Sequence, residues 1–185
     1  MITQNMIQSF FWAVSNYKKD NNKDIGCTVI DEDGNESEGL YYSRSNTPDC
    51  LKLSAVFFNI YNDYAYSTNS NFVEYGGSAL GFGTGTKEAK ISDYSLETPI
   101  MGDVFTPRKS STVVSIRYPG SVVITQAFVY TGEPTITIAE VGLFSSVFPH
   151  QNATGLKRVL MAREVLENPI TVSKGQQFVV TMTIN

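Results

Sequence analysis

The chain is poor in the residues that most often build metal and catalytic centres. His150 is its one histidine, which excludes zinc sites made of several histidines, and a Ser-His-Asp triad would depend on this residue in a polar loop. Cys27 and Cys50 lack both CxxC spacing and a nearby histidine, so we interpret them as buried thiols, with one disulfide as the open alternative. No catalytic residue, metal or cofactor is predicted.

Clustered positive charge is also missing. The 14 Lys and Arg residues are outnumbered by 18 Asp and Glu residues, and no basic cluster is longer than Lys18-Lys19 or Arg108-Lys109. Proteins that hold nucleic acid over an extended surface need clustered cations to neutralise phosphates. We therefore expect no nucleic-acid partner.

Two further absences concern secretion and membranes. No Lys or Arg precedes Lys18, so the cationic start of a signal peptide is missing. No apolar run approaches the roughly 20 residues that span a bilayer. We expect a soluble protein, made in a cytoplasm, without a membrane partner.

The sequence does contain a helical pattern in residues 3–18. Large apolar side chains recur there at spacings of three and four: Ile7, Phe10, Phe11, Val14 and Tyr17. This spacing predicts one apolar face of a helix, with Thr3 as its N-cap. Met6 and Trp12 lie off that face, so burial on two sides is expected. Residues 1–22 are predicted as an N-terminal helix that covers its own β domain or, as the alternative, docks onto a neighbouring subunit.

After residue 22 the composition changes to short runs of Val, Ile, Thr, Tyr and Phe separated by turn-forming residues, which is typical of strands. Nine strands are predicted, at residues 26–31, 36–42, 51–58, 77–83, 112–118, 121–131, 134–145, 157–165 and 176–184. The Asp33-Gly34 pair predicts a hairpin turn between the first two strands. Strands in this number predict one mainly β domain over residues 23–185, a jelly-roll-like β-sandwich, with a closed barrel as the alternative.

The last predicted strand has the clearest pattern. Its apolar positions follow one another at every second residue: Phe178, Val180, Met182 and Ile184. The residues between them are mostly polar, as a half-buried strand requires.

Residues 59–75 are rich in Tyr, Asn and Ser and follow no regular period, so a long surface loop is predicted. Tyr covers contact area at low rotamer cost, while Asn and Ser adapt their hydrogen bonds, which suits an interface or ligand loop. A solvated connection is the alternative. The candidate interface residues come from this loop and the N-terminal helix: Ile7, Phe10, Phe11, Trp12, Tyr61, Tyr64 and Tyr66.

Two segments imitate binding motifs but break their rules. The run from Gly81 to Lys87 lacks the Gly-Lys-Ser/Thr order of a phosphate loop and spaces its glycines wrongly for a dinucleotide fingerprint. Its alternate glycines suit a strand that bends or that another backbone approaches closely. Asp31 and Asp33 alternate as in an EF-hand loop, but Glu36 stands where the invariant Gly belongs, so a solvated hairpin tip is predicted.

One buried charged pair is predicted from strand patterning. Glu140 shares a strand face with Ile138 and Phe144, and the opposite face is apolar too, so its carboxylate is expected to be buried. A buried carboxylate needs a partner, because unpaired burial is costly. Arg163 in the next strand is the predicted partner, in a bidentate and structural ion pair.

Two separated stretches of the sequence form a recognisable pair. Ala79-Leu80-Gly81-Phe82-Gly83-Thr84-Gly85-Thr86 is followed by Asp93-Tyr94-Ser95-Leu96-Glu97. Ile136-Thr137-Ile138-Ala139-Glu140-Val141-Gly142-Leu143-Phe144 is followed by Leu160-Met161-Ala162-Arg163 and the alternating terminal strand. Their order and spacing resemble the "GxGTGT … sDtxLe" and "xExGLF … lxaR … f" segments of tailed-bacteriophage virion proteins of the tail, fibre or appendages. The similarity covers residues 79–185.

This resemblance implies a β-sandwich module that assembles with identical copies and with other phage virion proteins. It would be made in the host cytoplasm and located in the virion, in a neck or connector ring, the tail or the fibre apparatus. The residues agree with a structural role without a small-molecule substrate, because Tyr- and Asn-rich loops suit extensive contacts.

Two other functions remain as alternatives. A carbohydrate- or receptor-binding module would use exposed Tyr and Trp side chains to stack on sugars. A glycan hydrolase would need two of the acidic residues of the first hairpin, Asp31, Asp33, Glu36 and Glu38, in an enclosing cleft. The sequence favours the structural role over both.

Overall fold

The structure, a computed structural model, describes residues 1–8, 28–38, 80–102, 104–108, 113–117, 121–147 and 157–185. The strands within these residues are β1 (Thr28–Ile30), β2 (Glu36–Glu38), β3 (Leu80–Gly83), β4 (Phe105–Pro107), β5 (Val113–Arg117), β6 (Ser121–Tyr130), β7 (Ile136–Val147), β8 (Lys157–Val172) and β9 (Gln177–Ile184). Residues 4–8 are helical. The described part of the protein is therefore mainly β, as predicted, with a helix at residues 4–8 near its N-terminus. The rest of the predicted helix, residues 9–18, lies outside the described residues.

The strands pair antiparallel in two main sheets and one hairpin. The first sheet has the order β3-β7-β8. In the second sheet β6 is central: β4 and β5 follow one another along one of its edges, and β9 lies along the other. Irregular segments extend the first sheet, because residues 1–3 run along β8 and residues 98–100 run along β3. β1 and β2 form the separate hairpin.

The core lies between the two sheets. The ring of Phe82 in β3 reaches across to three rings of the second sheet, with centroids 4.6 Å from Phe105, 4.9 Å from Phe128 and 5.4 Å from Phe178. Tilted and edge-to-face contacts of this kind are favoured by aromatic quadrupoles. One buried apolar cluster joins side chains of both sheets. The sheets therefore pack face to face, while the jelly-roll-like connectivity remains a prediction.

Strands occur at every predicted position that the structure describes, and the predicted strand at 51–58 lies outside the described residues. β4 was missed because three residues that include Pro107 are too few to show an alternation. β8 was predicted to end at residue 165 but continues to Val172. Asn168 and Pro169 are unfavourable in a regular strand, and a shift in the β7–β8 register accommodates them.

The first hairpin and β9 test two of the sequence patterns directly. The β1–β2 hairpin is confirmed, with Gly34 at a φ of 83° in the turn. The prediction of a solvated tip is wrong for Asp31, which is buried: its carboxylate accepts hydrogen bonds from the N–H groups of Asp33 and Asn35 and so closes the turn. In β9, Met182 is buried and Val179 exposed, which confirms the predicted alternation.

The N-terminal residues are attached to β8 as an added short strand. Thr3 N–H donates to Met161 O at 2.9 Å, and Arg163 N–H donates to Met1 O at 2.9 Å. Thr3 lies at the N-cap position of the helix, as predicted, since its C=O accepts from the Ile7 N–H at 3.2 Å, while its hydroxyl donates to Leu160 O in β8 at 2.6 Å.

The pairing of residues 1–3 also sets which side of the helix is buried. Met6, which lies off the predicted apolar face, is buried in the core cluster, whereas Ile7 on that face is 41% exposed. Asn5 is buried as well and exchanges hydrogen bonds with the backbone of Ile30 in β1. Residues 1–8 are thus part of the same core as the β-sheets.

Candidate functional site

Glu140 lies on the outer face of the first sheet, beneath the segment of residues 84–99. The β7–β8 register shifts between Ile138 and Glu140, so the two side chains lie on opposite faces: Ile138 belongs to the core between the sheets. The predicted shared face is therefore wrong for Ile138. It is right for Phe144, which packs with Leu96 and Leu160 in a smaller cluster beneath the same segment. A bulge reverses the side-chain parity that a simple alternation assumes.

The Glu140 carboxylate is fully buried and accepts four hydrogen bonds. Its Oε1 accepts from the N–H groups of Thr98 at 2.8 Å and Gly85 at 3.1 Å. Its Oε2 accepts from the N–H of Glu97 at 3.1 Å and from Arg163 Nε at 2.8 Å. Four donors match the capacity of an ionised carboxylate, so this charge is satisfied in the interior.

Arg163 connects Glu140 to the rest of the segment. Because Glu140 pairs with Val165 in the β7–β8 ladder, Arg163 is its diagonal neighbour on the same face. Its Nη1 donates to Asp93 Oδ2 at 2.7 Å and its Nη2 donates to Lys87 O at 3.0 Å. The predicted ion pair is present, but the predicted bidentate geometry is wrong, since a single guanidinium nitrogen contacts Glu140 and the others bind the segment.

Burial would disfavour the charged guanidinium, but the hydrogen bonds that it donates to Asp93 and Glu140 outweigh burial and raise the pKa of Arg163. The guanidinium is therefore held in its ionised form. Its hydrogen bonds to Asp93, Glu140 and Lys87 O fix the position of the backbone around it.

Alternate glycines create the space for this carboxylate. A Cβ atom on Gly85 would lie 2.5 Å from Glu140 Oε1 and 2.6 Å from Glu97 Cβ, and one on Gly83 would lie 2.7 Å from Thr98 O. These separations are shorter than any normal contact. The close backbone approach that the glycine spacing predicts is confirmed, and the approaching backbone is that of residues 97 and 98.

A second ion pair closes the segment at the surface. Lys87 Nζ lies 2.8 Å from Glu97 Oε1, and the Lys87 N–H donates to Glu97 Oε2 at 2.7 Å. The hydrogen bond from the Lys87 side chain lowers the pKa of the Glu97 carboxyl, and the same bond raises the pKa of Lys87. Asp93 accepts from the Lys90 N–H as well as from Arg163, so it fixes the turn before it.

The sequence reasoning missed Asp93 and Glu97 as partners of Arg163. Their signal was present in the "sDtxLe" segment, where the two carboxylates stand four residues apart. Arg163 lies 70 positions after Asp93 in the sequence. Only the path of residues 84–99 over the sheet brings the two carboxylates close to it. Together the network fixes residues 84–99 to β7 and β8.

A cleft of about 350 Å³ lies beside the network at the β3 edge of the first sheet, lined by side chains from both faces of that sheet. Its walls include Phe144, whose ring supports the Arg158 guanidinium at 3.9 Å, and Glu32, whose carboxylate lies 3.6 Å from Arg158. Apolar side chains of β3 and β4 complete it. This cleft combines an apolar floor with charged groups at its rim, which is the general form of a ligand site.

The predicted interface residues are only partly covered by the structure. Ile7 is described and exposed, while the other six, Phe10, Phe11, Trp12, Tyr61, Tyr64 and Tyr66, lie outside the described residues. The same holds for Cys27, Cys50 and His150. Within the part that is described, no cluster of His, Cys, Asp and Glu has the form of a metal site. No helix of that part is long and apolar enough to cross a membrane.

The comparisons with known proteins add no relative. No family model matches the chain, and neither the curated proteins nor the solved structures contain a significant match.

Proposed function

We propose that this chain is a structural component of a tailed-bacteriophage particle, which assembles as a homo-oligomer with other virion proteins in the neck, tail or fibre apparatus. It acts through contacts and not through catalysis. One observation carries the proposal: the two sequence motifs that resemble virion proteins meet in a single buried network.

The first motif contributes the glycines and carboxylates around the Glu140–Arg163 ion pair, such as Gly85, Asp93 and Glu97. The second contributes Glu140 and Arg163, which bind them. The motif residues therefore interlock two distant parts of the chain. Residues that bind each other in the fold are expected to occur together in related modules. The contact between the two motifs therefore supports a real resemblance to the virion proteins over a chance match of short segments.

The surface of the described residues also supports a role in assembly. Several large apolar side chains are exposed: Met1, Ile7, Ile91, Tyr94, Met101, Ile170 and Val179. Three of them, Ile91, Tyr94 and Met101, lie on or next to the segment that the network holds in place. Apolar and aromatic side chains on a rigid support are what the centre of a protein interface requires.

The test is to look for the protein in purified particles of the phage that encodes it, by quantitative mass spectrometry and by immunogold labelling of the neck, tail and fibres. We expect a fixed copy number per particle and labelling at one position. A host cytoplasmic protein, quantified in the same preparations, controls for carry-over. Absence from the particles, at the level of that control, would contradict the proposal.

The cleft next to Arg158 keeps a carbohydrate- or receptor-binding module as the second candidate. Aromatic and charged groups together hold polar ligands such as sugars, and both line this cleft. A glycan array probed with the purified protein tests it. Binding that is lost in Arg158→Ala, together with absence from particles, would favour this second function.

A further inference from the structure

The edge of β9 that faces away from β6 differs from the outer edge of β8. β9 pairs with β6 along eight residues, from Val122↔Ile184 to Val129↔Gln177, without a register shift. No strand of the described residues pairs with its other edge. Such an edge presents a row of N–H and C=O groups that can bind a further strand.

The orientation of these groups follows from the ladder. Tyr130 N–H donates to Gln176 O at 2.9 Å, and hydrogen-bonded positions alternate along an antiparallel pair. The even-numbered residues of β9 therefore bond to β6. The N–H and C=O groups of its odd-numbered residues point away from the sheet: Gln177, Val179, Thr181 and Thr183.

β9 has none of the features that normally prevent edge pairing. The sequence Gln-Phe-Val-Val-Thr-Met-Thr-Ile contains no charge, no Pro and no bulge, and Val179 is 65% exposed. The outer edge of β8 is protected: residues 1–3 cover part of it, and Glu164, Glu167 and Pro169 occupy the remainder. In contrast to β8, β9 is therefore able to pair with a further strand.

A groove of about 530 Å³ runs next to this edge, between β9, β8 and the N-terminal residues. Its lining combines polar groups, among them Glu164 and Asn185, with six apolar side chains: Ile2, Val141, Leu166, Val180, Met182 and Ile184. A strand added to β9 would therefore gain backbone hydrogen bonds and, through alternate side chains, apolar burial.

We infer that β9 pairs antiparallel with β9 of a second copy of this chain. The chain carries a net charge of −4, so two copies repel each other overall, whereas the uncharged β9 places no like charges opposite one another. Pairing centred on Val180 sets Val179 against Thr181 of the second copy. It also keeps both apolar faces on the same side of one continuous sheet.

This contact is isologous, and closed assemblies built with it contain an even number of copies. The inference rests on the proposed homo-oligomeric role and names the surface that makes it. It is nevertheless tested separately from that role, because the test measures association of the purified protein and not its presence in particles.

Two adjacent valines provide matched variants. The N–H of Val179 points outward and its side chain is exposed, so Val179→Pro blocks the edge without removing a bond to β6. Val180→Pro removes an N–H that bonds to β6 and should lower the melting temperature. In sedimentation equilibrium we expect the unmodified protein to dimerise, and Val179→Pro to raise the dimer dissociation constant at least about tenfold at an unchanged melting temperature.

A second pair of variants controls for the possibility that proline itself disturbs folding. Val179→Lys should weaken the dimer in the same way, while Ile170→Lys, a similar change on the exposed part of β8, should not. Hydrogen exchange should show amides of Val179 and Thr181 that are protected at high protein concentration and lose this protection on dilution.

Three results would overturn the inference. The first is an unmodified protein that stays monomeric up to its solubility limit. The second is a Val179→Pro variant that associates as the unmodified protein does. The third is protection of the odd-numbered β9 amides only when a different protein is added, since this would identify a strand from another partner. Particles that contain the protein, with any of these results, would leave the proposed function standing.

Discussion

The two sheets of this protein are stabilised in different ways. In the second sheet, β9 follows the alternation of its sequence, and apolar side chains of β6 and β9, such as Phe128 and Met182, face the core. The first sheet is buried on both faces, and its outer face holds the charged Glu140 and Arg163 beneath residues 84–99. The comparison teaches that a simple period describes a sheet with one solvated face, whereas a covered sheet depends on specific contacts with what covers it.

The largest expected effect is on the covered sheet. Glu140→Ala leaves Arg163 Nε and three backbone N–H groups without their acceptor, so we expect a loss of about 3–5 kcal/mol in the free energy of unfolding. Denaturant unfolding measures it. Glu164→Ala is the control, because that side chain is 63% exposed and should change stability by less than about 0.5 kcal/mol.

A double variant separates the ion pair from the backbone contacts. Glu140→Leu with Arg163→Met removes both charges, which is often harmless for an isolated buried pair. Here the N–H groups of Gly85, Glu97 and Thr98 would still lack an acceptor, so we expect the double variant to remain at least about 2 kcal/mol less stable. Recovery of the original stability would show that the pair, and not the attachment of the segment, is what Glu140 provides.

The second effect concerns the alternating sheet. Met182 is buried in β9 while its neighbour Thr183 is exposed. Met182→Ala should lower the free energy of unfolding by about 2–3 kcal/mol through lost apolar burial, and Thr183→Ala by less than about 0.5 kcal/mol. Equal effects of the two changes, in denaturant unfolding of the monomer, would mean that β9 does not face the core as described.

The third effect concerns Gly83, whose missing side chain leaves room for the backbone of Thr98. A Cβ on Gly83 would meet the backbone oxygen of Thr98, which cannot move without breaking its own contacts. Gly83→Ala should therefore lower the free energy of unfolding by about 1–3 kcal/mol. The exposed neighbour Thr84→Ala is the control and should melt as the unmodified protein does.

The smallest effect is a pH dependence at the surface of the segment. Because the Lys87 hydrogen bond lowers the pKa of Glu97 below its usual 4.5, the pair stabilises the folded state above that pH and loses this contribution as the pH falls through the lowered value. Glu97→Gln and Lys87→Met should both weaken the acid dependence of the melting temperature below pH 4.5. Lys90→Met, a nearby change of charge, should leave it as it is; an equal effect there would indicate general electrostatics.

Much of the fold was predictable from local patterns. A run of β-branched and aromatic residues located β6, alternation located β9, the Asp33-Gly34 pair located the first hairpin, and strand adjacency located the partner of Glu140. Each of these depends on residues that are close in sequence or on neighbouring strands. The bulge after Ile138, the strand β4 and the burial of Met6 were not predictable in this way, because each depends on pairing with a distant part of the chain.

The sequence by itself therefore determined a mainly β protein, its turns, and the need of a buried carboxylate for a cation. The tertiary structure decided which loop covers the outer face of the first sheet, how Arg163 divides its donors among three acceptors, and which strand edge no described strand covers. The physical reason is one of range: backbone geometry and alternation act over a few residues. Burial and charge pairing depend on whichever segments the completed fold brings together.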